Sequence, residues 1–184
     1  MLDDNNINKP LIEKINNLEK DNNETFSNTQ KILLTTDGSI TAILDVLKGK
    51  IDLKTINQYY IEADEQIAKL LNINNGDSVI YREILMYKYE EPLIYAISYI
   101  PVERISEGFE NDLMREDIPL GRILRKYSIE SRREVKNINI EDTNETLIDI
   151  YNTDEKVLSR SYNIIKDKEI FMWIKEIFPI SYFR

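Results

Sequence analysis

Residues 79–88 read VIYREILMYK, residues 89–92 read YEEP and residues 93–100 read LIYAISYI. Two β-rich runs on either side of a short polar, Pro-containing turn describe an antiparallel hairpin, and Pro101 ends its second strand. The same arrangement recurs at the other end of the chain. Val157 to Ile165 and Glu169 to Phe178 flank Asp167-Lys168, a second hairpin. Residues 51–61 and Arg132 to Ile140 add two more strand-like runs. Hairpins rather than βαβ units set the strand order, so the fold class expected is α+β: an antiparallel β-sheet with helices packed on one face.

The helical segments follow from spacing and punctuation. After Thr36-Asp37-Gly38-Ser39, the residues Ile40, Ile43, Leu44 and Leu47 fall at helical spacing, and Gly49 stands as a stop. Asp64 to Leu71 reads as a short helix closed by the turn Asn74-Asn75-Gly76-Asp77. Residues 103–128 are expected to hold two helices around Ile118-Pro119-Leu120-Gly121. Residues 1–30 are rich in Asn, Asp, Glu and Lys, with an apolar period at Leu11, Ile12, Ile15 and Leu18. They are expected to form a loosely held polar segment with one short amphipathic helix, ahead of a single domain spanning 31–184.

Composition narrows the chemistry. The 184 residues are 42% hydrophobic and 31% charged, with no stretch apolar enough to span a bilayer. The acidic, polar start lacks the features of a signal peptide, so the expected location is cytoplasmic. With no Cys and no His, thiolate and imidazole nucleophiles, the usual zinc sites, Ser-His-Asp triads and disulfides are excluded. No loop has the spacing of a carboxylate metal site, and neither metal nor cofactor is expected. A net charge of -9 disfavours nucleic acid as a partner. The expected partner is a small molecule, with the protein a monomer or homodimer and no membrane association.

Two charges stand on faces that should be apolar. Alternation groups Ile80, Arg82, Ile84 and Met86 on one side of a strand, and Ile170, Met172, Ile174, Glu176 and Phe178 on one side of another. A lone buried charge costs several kcal/mol, so each needs a partner, a ligand or water. Two readings stay open: a structural ion pair, or a closed pocket where Arg82 binds a carboxylate and Glu176 handles a hydroxyl or ether oxygen. Arg160 shares a face with Leu158, Tyr162 and Ile164 and is either a rim charge or a cation for a second carboxylate. The Tyr residues at 59, 60, 81, 87, 89, 95 and 99 read as sheet packing. Pro119-Leu120-Gly121 and Asp37-Gly38-Ser39 read as plain turns or as loops aiming N–H groups at an anion.

At this point the chain resembles the chorismate lyase family. The resemblance rests on LLTTDGSIT at 33–41, YREIL at 81–85, EPL at 91–93, Pro101, IPLGRIL at 118–124 and KEIFP at 175–179, in family order. It implies that Arg82 binds the ring carboxylate of chorismate, assisted by backbone N–H groups near Ile40 and of Leu120, beside Gly121. It also implies that Glu176 faces the 4-oxygen, that Arg160 holds a basic position of the family, and that 4-hydroxybenzoate and pyruvate are released without a cofactor. The run AKLLNINNGD at 68–77, with Arg82, Glu91-Pro92-Leu93 and Pro101, is also similar to the effector-binding domain of GntR-type regulators. That resemblance implies ligand binding without reaction. Against it stand an N-terminal segment too short and acidic for a winged-helix DNA reader and the enzyme-like Glu176.

Overall fold

In the computed structural model, residues 10–115 and 118–184 are described. Six strands run β1 (Asp52–Glu62), β2 (Ser78–Lys88), β3 (Glu91–Pro101), β4 (Arg132–Glu141), β5 (Val157–Lys166) and β6 (Glu169–Pro179). They form one sheet in the order β1-β2-β3-β6-β5-β4, with every neighbouring pair antiparallel. Both hairpins of the sequence reading are present. Their inner strands, β3 and β6, pair with each other at the centre of the sheet and so join the two halves of the chain.

The turns explain why the strands reverse where they do. Tyr89 (φ 56°), and both Asp167 (φ 52°) and Lys168 (φ 71°), adopt positive φ, which matches the twist of a tight hairpin. Each hairpin carries an irregularity, between Met86 and Tyr87 and between Ile164 and Ile165. A bulge of this kind shifts the pairing register by one residue. As a result Arg82 lies opposite Ser98, and Arg160 lies opposite Glu176.

One sheet face carries the main core. Helices α1 (Leu11–Asn22), α2 (Asn28–Thr35) and α3 (Ile40–Lys48) cover one end through Ile15, Leu33, Leu34, Ile40 and Leu44. A 3-10 turn at Val102–Arg104 leads to α5 (Glu107–Arg115) and α6 (Leu120–Lys126), which cover the other end through Phe109, Leu113, Ile123 and Leu124. In addition, the opposite face receives two short helices. These are α4 (Glu65–Leu71), capped by Asp64, and α7 (Glu145–Tyr151), capped by Asn144.

The segment before Lys31 differs from the expectation of a loosely held end. Ile15 and Phe26 are buried with Leu33 and Leu34, and Lys14 Nζ donates to the Lys136 carbonyl at 2.9 Å, fixing α1 on β4. Helix α2 begins with a capping box between Ser27 and Gln30, and the Gln30 amide donates to the carbonyls of Ile180 and Tyr182 at 2.8 Å each. Reciprocal capping satisfies two N–H groups that a helix start leaves orphaned. The first nine residues of the segment lie outside the described residues. Among the described residues, no helix is long and apolar enough to cross a membrane.

Candidate functional site

The two main-face helix groups do not meet completely, and between them the sheet floor holds a small cavity of about 50 Å³. Its floor includes Arg82, Ile84, Ser98, Tyr162, Ile174 and Glu176, and its roof is made by Ser39, Ile40, Pro119, Leu120 and Gly121. The roof is the junction of two helix starts. A methyl group on Gly121 would stand 3.6 Å from Ser39 Oγ, so α6 and α3 are in near contact over the cavity. Ser39 caps α3 by accepting from the Ala42 N–H.

Arg82, 1% exposed, reaches into the cavity from β2. Its Nη2 donates to the Ile118 carbonyl at 3.1 Å and to Thr55 Oγ1 at 3.4 Å, so the guanidinium is directed by both the sheet and the roof segment before α6. A guanidinium presents five donors in a rigid fork suited to a carboxylate.

Glu176 is also buried, and its ionic partner is Arg160 rather than Arg82. The two are cross-strand neighbours, with Arg160 Nε 2.6 Å from Glu176 Oε2. Arg160 Nη1 donates to the Thr36 carbonyl at 2.7 Å, which ties this pair to the segment leading into α3. Tyr162, two residues along β5, donates from its hydroxyl to Glu176 Oε1 at 3.1 Å. Both carboxylate oxygens are therefore engaged, each with a further lone pair left for a ligand. Arg160 does not itself line the cavity; it stands behind Glu176 and stacks near the Tyr162 ring at 4.8 Å.

The electrostatics follow from burial and pairing. Burial opposes the charge of Arg160, but the Glu176 carboxylate and Tyr162 outweigh it and hold the guanidinium above its usual range. Burial is also the main cause pushing the Tyr162 phenol up. The Glu176 charge adds to it, and Arg160 and Arg133 pull the other way. Tyr162 is thus a phenol O–H donor at any physiological pH.

The residues singled out in the sequence are therefore brought together: Arg82, Glu176, Ile40, Leu120 and Gly121 line one cavity, and Arg160 buttresses Glu176. Sequence reasoning missed Tyr162 and Arg133. Tyr162 lies two residues after Arg160 on the same strand face, a signal that was readable. Arg133 lines the cavity from β4, and its Nη1 donates to the Asp37 carbonyl at 3.3 Å. In the sequence it is one of two adjacent arginines at a strand start, and nothing in the residues beside it sets it apart from Arg132.

Comparison with known proteins identifies a family and a shared fold. The family described as "Chorismate pyruvate-lyase Rv2949c-like" matches residues 34–184. A protein of Methanocaldococcus jannaschii named "Putative lyase MJ0807" is 37% identical over 167 residues, covering 86% of this chain and 83% of its own length. Among solved structures, the effector domain of PhnF from Mycobacterium smegmatis superposes with a TM-score of 0.67 at 14% identity, over 79% of this chain and 90% of that one. A GntR-family transcriptional regulator from Bacillus cereus gives 0.61 at 20% identity, over 73% and 94%. These two show the shared fold.

Proposed function

The chain belongs to the Rv2949c-like chorismate pyruvate-lyase family, and on that premise we propose that it converts chorismate to 4-hydroxybenzoate and pyruvate in the cavity between the sheet and the starts of α3 and α6. The observation that carries the reading is the placement of Arg82 and Glu176 on one sheet face, lining one cavity, with Arg160 paired to Glu176 from behind. A buried guanidinium at one side and a buried carboxylate at the other suit a small organic acid that carries a hydroxyl away from its carboxylate.

On this reading Arg82 holds the ring carboxylate, with the roof at Ile40, Leu120 and Gly121 closing over it. Glu176 accepts a hydrogen bond from the 4-hydroxyl. It is the sole carboxylate among the described residues that line the cavity, so it is also the acceptor for the C4 proton. The C3–O bond breaks as that proton leaves, the ring becomes aromatic, and the departing enolpyruvate takes up a proton at its methylene carbon to become pyruvate. Aromatisation supplies much of the driving force. The protein's part is orientation, exclusion of water and placement of charge, and no cofactor is needed. Arg160 and Tyr162 act through Glu176 by fixing its two oxygens.

The cavity is several times smaller than the roughly 300–1,000 Å³ of ordinary small-molecule sites. Substrate entry therefore requires the starts of α3 and α6 to separate, and the reaction is proposed to take place in the cytoplasm. The deciding experiment incubates the purified protein with chorismate and follows 4-hydroxybenzoate and pyruvate together. Equimolar appearance of both is expected. Tight binding of 4-hydroxybenzoate with no turnover would replace this reading with a non-catalytic effector-binding one, the mode of the regulator domains that share the fold.

A further inference from the structure

Chorismate is a dianion, and the site as described so far assigns only one of its carboxylates. The second belongs to the enolpyruvyl arm and needs its own cation if the cavity is to be dry. Arg160 is unsuited to that role: its Nε is engaged by Glu176 and its Nη1 by the Thr36 carbonyl, and although its buried Nη2 has no hydrogen-bond partner among the described residues, the side chain stands behind Glu176 and does not line the cavity.

We propose that Arg133 is the specificity-determining residue that binds the enolpyruvyl carboxylate, an inference that rests on the lyase reading above. Arg133 projects from β4 into the cavity that Arg82 enters from β2. Four strand spacings, at about 4.8 Å each, separate β2 from β4 in the sheet order. The two guanidiniums therefore approach the same space from opposite sides, as the two ends of a dianion require.

The bonding state of Arg133 supports this role. Its Nε is buried and has no hydrogen-bond partner among the described residues, and it forms no ion pair with a described carboxylate. Its one side-chain hydrogen bond among the described residues, to the Asp37 carbonyl, is long at 3.3 Å. A donor left unsatisfied in a buried position is costly unless a ligand completes it. Its guanidinium also lies 6.0 Å from the Tyr162 ring, whose hydroxyl contacts Glu176. A carboxylate held there would place the enolpyruvyl arm beside the base that acts on C4. The product 4-hydroxybenzoate lacks this second carboxylate and makes no use of Arg133.

The test compares a dianion with a monoanion on the same protein. For wild type, Arg133→Ala and Arg133→Lys, the KM for chorismate is measured by pyruvate release and the Kd for 4-hydroxybenzoate by calorimetry. Arg133→Ala is expected to raise the chorismate KM about 10- to 100-fold, the usual scale for losing a charge-assisted bidentate contact. The 4-hydroxybenzoate Kd should change less than about threefold on the same scale, and Arg133→Lys should recover part of the loss because it keeps the charge. Retained product affinity also certifies that the variant is folded. An unchanged KM, or equal weakening for both ligands, overturns the assignment of Arg133 while leaving the lyase reading intact. Wild-type protein that releases no pyruvate overturns the lyase reading itself, and the inference with it.

Discussion

Replacing Glu176 by Gln should cost both stability and turnover, and the two losses can be separated. Arg160 and Glu176 are 0% and 3% exposed and lie 2.6 Å apart. Removing one partner of such a buried pair leaves an uncompensated charge, at a cost of about 3–5 kcal/mol. The Gln carbonyl can still accept from Arg160 or Tyr162, which places Glu176→Gln near the lower end, about 3 kcal/mol. For a chain of this size each kcal/mol lowers Tm by roughly 2–4 °C, so thermal unfolding followed by circular dichroism should shift down by about 6–12 °C. The double variant Arg160→Met/Glu176→Met removes both charges and should return to within about 1 kcal/mol of wild type. Assayed well below its Tm, Glu176→Gln should lose about 10²- to 10⁴-fold in kcat, the scale of general acid–base catalysis. The double variant should be stable but equally inactive. A Glu176→Gln variant less than 1 kcal/mol below wild type, or a double variant worse than either single change, would refute the view of Arg160–Glu176 as a tightly coupled buried pair.

Arg82→Ala should weaken binding of 4-hydroxybenzoate by about 2–5 kcal/mol, measured by calorimetry, because it removes the charged partner of the ring carboxylate from a desolvated site. The fold should also lose stability in acid through Glu141. Burial raises that carboxyl, but Lys175 at 2.7 Å and the Ser159 hydroxyl outweigh burial and hold it below its usual value. A depressed folded value means a contribution that is fully present above the unfolded value near 4.3 and lost as pH falls below it. Urea midpoints should therefore fall between about pH 5 and pH 3, and Glu141→Gln should flatten part of that decline.

The fold was legible where local chemistry and pattern agree. Both hairpins announced themselves through β-rich runs around short turns, and α3 through its Ser39 cap and Gly49 stop. Helix α2 was harder, because its apolar residues Ile32, Leu33 and Leu34 are consecutive and carry no helical period. Its readable signal was the Ser27/Gln30 capping box. The site was legible as two charges on apolar faces, but their partners were not. A two-residue turn at Asp167-Lys168 with regular pairing would set Arg160 opposite Lys175 and turn Glu176 to the other face. The bulge between Ile164 and Ile165 shifts the register by one, and only then do Arg160 and Glu176 meet. Nothing in the residues around 164 marks that bulge, so the ion pair emerges only in three dimensions.

A fold shared with regulator domains at 14–20% identity does not decide between catalysis and sensing. An anion sensor needs a cation in a closed pocket, and Arg82 alone would satisfy that need. Glu176 is the residue a sensor of the same ligand has least reason to keep, because a buried carboxylate facing an anionic ligand opposes binding unless a second cation neutralises it. Here Arg160 supplies that cation from behind, and Tyr162 adds a donor to the other oxygen. Such a buttressed carboxylate makes sense where it meets a proton that must leave. The arrangement therefore argues for turnover on the strength of its cost: two buried polar side chains, Arg160 and Tyr162, are committed to holding one acceptor in place, on the floor of a cavity that Arg82 already equips to bind.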